Sequence, residues 1–415
     1  MPNPMPSPAL CPVLAVGAWL KNTACLLDAD GAHGSALHGD LRDAQACRAL
    51  EASARALAAR STQPIAAVAH DLHPDFYSTR LALALADEWQ VSAIGVQHHH
   101  AHIGAVMAEH GLREPVIGLA LDGVGLGSDG TAWGGELLWV APAGWQRLGH
   151  LWPLALPGGD AAALAPWRML ASALHAMGRS AEIVPRLSAQ VGVAPARMIQ
   201  RMLETGLNCP AGTSAGRWFD AAAAALGLQL LAQTEAEAAI ALERHAAQWL
   251  LAHPSADPAM PADAATPAAS QANQPPASDA PAALQTSADV LDLRPMIATL
   301  LDWPDTPERS TAAAAWFHLT LARALADWAA RAARRTGCLT VCLGGGCFMN
   351  AILTREVTRR LQGQGLRVCR PQATPCGDAG LALGQAWVAA QQLAALADPL
   401  PPHLPLTLPE SLPCA

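Results

Sequence analysis

VSAIGVQHHHAHIGAVMAEHGLREPVIGLALDGVGLGSDGTAWGGELLWV, residues 91–140, is the stretch whose reading decides the fold. Val91–Val96 is an apolar run of strand length. His98–His110 carries its apolar residues at helical spacing and is closed by Gly111. Val116–Asp122 is almost continuously apolar, as a strand covered on both faces requires, and ends in a glycine-rich turn. Ala132–Val140 is its expected hairpin partner. A strand, a helix and two further strands in succession mark an α/β protein.

The same alternation continues outward. Upstream, Pro12–Val16 predicts a strand, Gly17 and Asn22 punctuate a turn, and Ala24–Leu27 resumes strand character. A helix over Ala44–Ala59, a strand over Ile65–Ala69 and a helix over Thr79–Trp89 follow. Downstream, Ala163 to Gln248 is mostly helical in pattern. Residues 251–290 are Ala/Pro/Ser/Asp-rich without an aromatic residue, which predicts a disordered insertion. Then come a helix (Thr311–Arg335), a strand (Leu339–Leu343), the glycines 344–346, a helix (Asn350–Gln362), a strand (Arg367–Cys369) and a last helix (Ala379–Leu393). The expected division is a disordered N-terminus (1–12), a first lobe (13–158) bearing the histidine helix, a second lobe (159–398) ending in the closing C-terminal helix, and a Pro-rich tail (399–415).

Bulk composition narrows the function. The chain has 415 residues, 52% hydrophobic and 14% charged, with a net charge of -8. That balance argues against nucleic acid or an anionic membrane as partner. There are 10 cysteines, none in the C-x2-C spacing of a structural zinc site. No basic leader precedes the first apolar stretch, and no run is long enough to span a bilayer, so a cytoplasmic protein is expected. Of 26 basic residues a single one, Lys21, is lysine. Where arginine has replaced lysine almost everywhere, the survivor is a candidate for work that a guanidinium cannot do.

The histidine helix carries the strongest chemical signal. His98 and His102 are one turn apart on one face, the spacing for two metal bonds, whereas His99 and His100 point elsewhere, to outer-sphere or surface positions. A third ligand must come from far along the chain, and Asp378, in PCGDAG just before a helix, can supply it. Two His and one Asp with open positions suit Fe, Zn or Mn. Three glycine turns form a second set: Leu121–Gly135, Leu343–Asn350, and Gly17–Asn22, which contains Lys21. Their amides could cradle phosphate. Each alone is equally a tight turn, but together they favour a nucleotide cleft between two lobes. HDLHPDFYSTR (His70–Arg80) is polar beyond structural need, and Asp220, in the TSAGRWFDA segment, could hold a ribose hydroxyl. No Ser-His-Asp or Cys-His pattern suggests a covalent enzyme intermediate.

Eight segments in this order resemble one family: VAHDLHPDFYSTR, GVQHHHAHIGAVMAEH, LALDGVGLGSDGTAWGGELL, LPGGDAAALAPWRM, TSAGRWFDAAAAALGL, FHLTLARALA, LGGGCFMNAILT and PCGDAGLALGQA. They are similar to the C-terminal part of the hydrogenase maturation carbamoyltransferases, the HypF family, itself related to the tRNA threonylcarbamoyl-transferases. The resemblance covers about residues 13–248 and 290–390. It implies the actin-like ATPase (ASKHA) fold, with nucleotide and a divalent metal (Fe, Zn, Mn or Mg) in the cleft between lobes. It further implies His98, His102 and Asp378 as metal ligands, Gly123 and Gly125 as the phosphate turn, Asp220 as the ribose contact, and Gly345 and Asn350 at the nucleotide-binding strand–helix junction. Lys21 matches the family's first-turn lysine, and with Asp122 it is the catalytic candidate.

The implied reaction moves the carbamoyl group of carbamoyl-adenylate, whose AMP moiety derives from ATP, to the C-terminal cysteine of a HypE-like maturation protein. The product is a precursor of the cyanide ligands of [NiFe]-hydrogenase. Full family members also carry acylphosphatase-like, zinc-knuckle and adenylate-forming domains; no such motif occurs here, so carbamoyl-adenylate is expected from a separate adenylate-forming protein. The family's Asn before the ligand Asp is here Gly377, and its Ser before the paired glycines is Gly344. The alternatives are an O-carbamoyltransferase of natural-product assembly and a non-catalytic nucleotide-binding maturation scaffold.

Overall fold

A computed structural model describes residues 11–142, 144–254, 286–287 and 290–397. Most of the expected N-terminal segment (1–12) and of the insertion (251–290), and all of the tail (399–415), lie outside the described residues.

The first sheet is built from β1 (Val13–Ala15), β2 (Cys25–Asp28), β3 (Gly31–Gly34), β4 (Ala67–Asp71) and β5 (Ser92–Val96), in the order β3-β2-β1-β4-β5. β1, β2 and β3 are antiparallel neighbours, while β1–β4 and β4–β5 are parallel. Helices α1 (Ala44–Ala58) and α2 (Tyr77–Trp89) cover its outer face. α1 shows why: Ala46, Leu50, Ala54 and Leu57 recur at three- and four-residue intervals and are buried. Its start is set by Asp43, whose carboxylate accepts from the Gln45 N–H at 2.9 Å. β3, GAHG, has no β-branched residue and two glycines, which is why its strand character escaped the sequence pattern.

After α3 (His98–Glu109) the second sheet begins with β6 (Val116–Leu126), β7 (Ala132–Ala141) and β8 (Gly144–Leu151). It is extended by the short strands β9 (Leu154–Ala155), β10 (Ala211–Gly212), β11 (Thr286–Ser287) and β12 (Val290–Leu291), and continues in β13 (Thr340–Gly344) and β14 (Arg367–Cys369). Its central order is β8-β7-β6-β13-β14, with β6–β7–β8 antiparallel and β6–β13–β14 parallel. That is the first sheet's pattern repeated, a topological duplication that the two halves' sequences do not display. It is the two-lobed actin-like architecture.

Two sequence expectations are corrected. The division between the sheets lies between Glu109 and Val116 rather than at 158, because β6 pairs with β13 across more than two hundred residues and β7 and β8 follow on its other side. The closing helix, α12 (Leu381–Ala397), does not stay with the second sheet but packs on α3, β1 and β2. The helices between, α4 (Pro166–Ala176), α5 (Ile183–Val191), α6 (Val193–Thr205), α7 (Ala215–Ala225), α8 (Glu237–Ala252), α9 (Arg294–Leu301), α10 (Arg309–Thr336) and α11 (Ala351–Gly363), contribute to the outer core of the second sheet.

α3 and α12 therefore lie between the sheets, and one apolar cluster joins Val13, Ala15 and Ala69 of the first sheet to Ala120, Leu138 and Cys342 of the second through both helices. The two helices touch backbone to backbone: a Cβ on Gly384 would stand 1.8 Å from the Ala101 carbonyl oxygen. Only glycine allows that approach.

Candidate functional site

The histidine helix starts at the inter-sheet seam. Gln97 caps it, its Oε1 accepting from the His100 N–H at 2.8 Å. Its first turn projects His98 and His102 towards Asp122 of β6 and Asp378, which opens the short 3-10 turn before α12. The four side chains place ligand atoms within 4.8 Å of one another. His98 Nε2 lies 3.3 Å from Asp122 Oδ2 and 3.7 Å from Asp378 Oδ1, and His102 Nε2 lies 3.5 and 3.7 Å from the same two oxygens. His98, His102 and Asp122 are buried, and Asp378 keeps a partly open side.

Only the His98–Asp122 contact is also a hydrogen bond; the other three separations, at 3.5–3.7 Å, are long for one and suit a shared cation. Ligands about 2.1 Å from a tetrahedral centre stand about 3.4 Å apart. His102 Nε2 is buried with no hydrogen-bond partner, which is costly for a polar atom unless something else engages it. Two neutral imidazoles and two carboxylates also balance a divalent charge. This donor set suits Fe, Zn or Mn.

Asp71, at the end of β4, completes the arrangement and was not singled out from sequence. Its Oδ2 is 2.7 Å from His98 Nδ1, and its Oδ1 accepts from the His73 N–H at 3.0 Å. A proton on Nδ1 donated to Asp71 leaves Nε2 free to face the cluster. The available signal was HDLHPD, a polar run directly after a buried strand. Burial disfavours a charged His98, but Asp71, Asp122 and Asp378 outweigh it and hold the imidazole well above its ordinary range. Burial likewise opposes the Asp122 carboxylate, and His102 and His98 outweigh that, holding it well below the usual carboxylate range. A field of this kind is one that a cation would enter favourably.

The glycine set behaves differently from a simple turn. β6 does not end at Asp122 but runs on to Leu126, with a bulge: Leu121 pairs with Gly135 and Gly125 with Trp133. The extra residues turn Asp122 into the site. Gly125 is required by packing, since a Cβ there would lie 2.5 Å from the His98 ring and 2.9 Å from that of His99. Gly123 borders the cleft, with the Glu235 carboxylate 3.3 Å from where its Cβ would be. Gly345 adopts φ +95 beside the Leu121 backbone, and the next amide, of Gly346, donates to Asp122 Oδ1 at 3.1 Å. Gly344 ends β13 against the His102 backbone rather than opening the turn.

The remaining candidates fall at varied distances from this centre. Asp220 is buried in α7, its Oδ2 2.9 Å from Arg217 Nη2 but not aligned for a hydrogen bond. Burial pushes its pKa up to about 6 against the pull of Arg217. Lys21, at φ +49 in the first turn, pairs its ammonium with Glu235 Oε2 at 3.0 Å, and both Asp378 and Asp122 act on it electrostatically. Asn350 is not brought into the cluster: its Oδ1 caps α11 through the Leu353 N–H at 2.9 Å, and its Nδ2 donates to His318 Nε2, also at 2.9 Å. His99 and His100, expected at outer-sphere or surface positions, are both buried, beside Trp133 and Trp145 respectively.

Comparison with known proteins agrees with the division seen in the sheets. The family model described as "HypF Kae1-like domain" matches residues 9–109, and "Carbamoyltransferase, Kae1-like Domain, second subdomain" matches residues 118–385. A carbamoyltransferase HypF homolog of Cupriavidus necator is 53% identical over 406 residues, 97% of each chain. Carbamoyltransferase HypF2 of the same organism is 48% identical over 92% of this chain but only 46% of its own length. The chain thus spans about half the length of several curated relatives. A crystal structure of full-length HypF in a phosphate- and nucleotide-bound form superposes with a TM-score of 0.77 at 28% identity, over 94% of this chain and 56% of that one. Matching both subdomain models and a relative of equal length, the chain belongs to the HypF carbamoyltransferase family.

Proposed function

We propose that this chain transfers the carbamoyl group of carbamoyl-adenylate to the C-terminal cysteine thiol of a HypE-like protein in [NiFe]-hydrogenase maturation. One observation carries the reading: two histidines and two aspartates converge at the seam between the sheets, directly beside the β6 bulge and the Gly345–Gly346 turn. A full-length HypF structure in a phosphate- and nucleotide-bound form, which shares this fold over 94% of this chain, supports nucleotide binding.

His98, His102, Asp122 and Asp378 would hold a divalent metal, with Asp71 fixing the His98 tautomer. The bound metal would polarise an oxygen of the mixed anhydride. Gly123 would leave room for a phosphate at the cleft, Gly125 and Gly345 permit the close packing that shapes the turns around it, and Asp220 would accept from a ribose hydroxyl. Lys21 would leave Glu235 to meet negative charge on the departing phosphate. The thiol gives its proton to solvent or buffer, and its sulfur forms a bond to the carbonyl carbon. The bond from that carbon to the phosphate oxygen breaks, and AMP leaves with the electron pair. The products are the thiocarbamate, AMP and a proton.

The test combines the purified chain with HypE, ATP, carbamoyl phosphate and a separate adenylate-forming domain. Mass spectrometry is expected to find a carbamoyl increment on the HypE C-terminal cysteine, lost in the double variant His98→Ala/His102→Ala. Absence of the increment, with a full-length relative giving one under the same conditions, overturns the proposal.

A further inference from the structure

Asp378 reaches the metal-ligand cluster from a loop, not from a regular element. The chain leaves β14 at Cys369 and crosses 370–377 before the turn that carries Asp378. Such a segment has no sheet or helix ladder to fix it. Beside Asp378 itself, Thr23 Oγ1 donates to the Ala379 carbonyl at 2.8 Å and Cys376 Sγ to the Gly345 carbonyl at 3.4 Å, while the upstream part of the loop is held by α3, the helix that supplies the two histidines. At the far end of that helix the Glu109 carboxylate accepts three successive backbone N–H groups: Oε1 from Gln372 and Ala373, both at 2.8 Å, and Oε2 from Thr374 at 3.2 Å. His110 adds a contact of 2.8 Å from Nε2 to the Arg370 carbonyl. Glu109 lies eleven positions beyond His98, about 16 Å along the helix, so it touches no reacting atom.

The residue type is unfavourable for the helix itself. A carboxylate in the last turn opposes the helix dipole. Three converging amides form the kind of backbone nest that binds an anion and compensate for it. Burial would raise the Glu109 pKa, but the amides outweigh it and keep the group ionised.

We infer that Glu109 is a positioning residue for Asp378, keying the loop that carries this carboxylate to the same rigid helix that carries His98 and His102. The separation of Asp378 from the two histidines is then set within one element plus one clamped loop, and does not depend on how the outer helices settle. This inference rests on the metal reading of the cluster.

The test titrates the full chain with Co2+ and follows visible d–d absorption. Glu109→Ala is expected to weaken Co2+ binding about tenfold or more, in the range for residues that orient ligands from outside the coordination sphere. Glu109→Gln, which keeps an acceptor oxygen, should recover part of the loss. In a Asp378→Ala background, Glu109→Ala should cost nothing further, because a residue acting only through Asp378 has nothing left to position. A general packing role would instead weaken binding equally in both backgrounds, which overturns the inference. So does wild-type affinity in a folded Glu109→Ala or, should that variant not fold, in Glu109→Gln. If the unaltered chain gives no d–d band, the metal reading fails and takes this inference with it. If the unaltered chain binds and Asp378→Ala weakens it while both Glu109 variants do not, only the inference on Glu109 falls.

Discussion

Asp71 illustrates how much of this site is set by residues one contact removed from the ligand atoms. Its carboxylate holds the His98 ring by a 2.7 Å contact in a buried environment, so replacing it changes both tautomer and orientation. Asp71→Asn is expected to lower metal affinity roughly 10–100-fold, measured by competition with a chromophoric chelator; unchanged affinity would reduce Asp71 to a packing role. Asp220 gives a pH-dependent outcome. Its folded pKa of about 6 exceeds its ordinary 3.8, so the folded state holds this proton more tightly than the unfolded chain. Its contribution to stability is present below about pH 4 and lost as pH rises through about 6. Binding of AMP to a ribose-accepting carboxylate should have the opposite trend, tightening from about pH 5 to about pH 7, and Asp220→Asn should remove that step in a calorimetric titration. The sequence marked His98, His102 and Asp378 as ligand candidates and Asp122 as a catalytic one, which the structure brings into the same cluster, but Asp71 offered only its place in a polar run. Its partner is distant in the chain, and no local spacing encodes that contact.

At the scale of elements, the α3–α12 contact governs whether the ligand helix and the closing helix stay in register. Gly384 has no room for a side chain against Ala101. Gly384→Ala is expected to destabilise the chain by about 1–3 kcal/mol in urea unfolding, because one helix must shift, and to loosen the cluster at the same time. A stability loss without any change in metal affinity would separate the two helices' packing from the site. The elements were widely legible: α1, α2, α3, α10, α11, β13 and β14 lie within a few residues of their sequence limits, since each has a clear apolar period or a glycine boundary. β3 and the β6 bulge were not. An edge strand of GAHG lacks a side-chain signal, and a bulge is defined by the partner strand's register.

The whole molecule places Lys21 and Glu235 on opposite halves and joins them across the cleft mouth. Both side chains are about half exposed, so the pair contributes only about 0–1 kcal/mol. Lys21→Ala should therefore shift Tm by about 2 °C or less while slowing carbamoyl transfer roughly tenfold or more. A rate as high as that of the unaltered chain would confine Lys21 to its surface ion pair. Among the described residues no helix is long and apolar enough to cross a membrane.

What the sequence by itself determined was the α/β alternation and the family, because periodicity and motif spacing are local properties. Where the halves divide was decided only in three dimensions: the β6–β8 meander joins the second sheet through the hydrogen bonds of β6 to β13, a pairing that no segment carries alone. The same holds for the return of α12 to the first sheet, the burial of His99 and His100, and the assignment of Asn350 to a helix cap. Each depends on which surface arrives from elsewhere in the chain, and that is settled by the joint burial of apolar faces between two sheets.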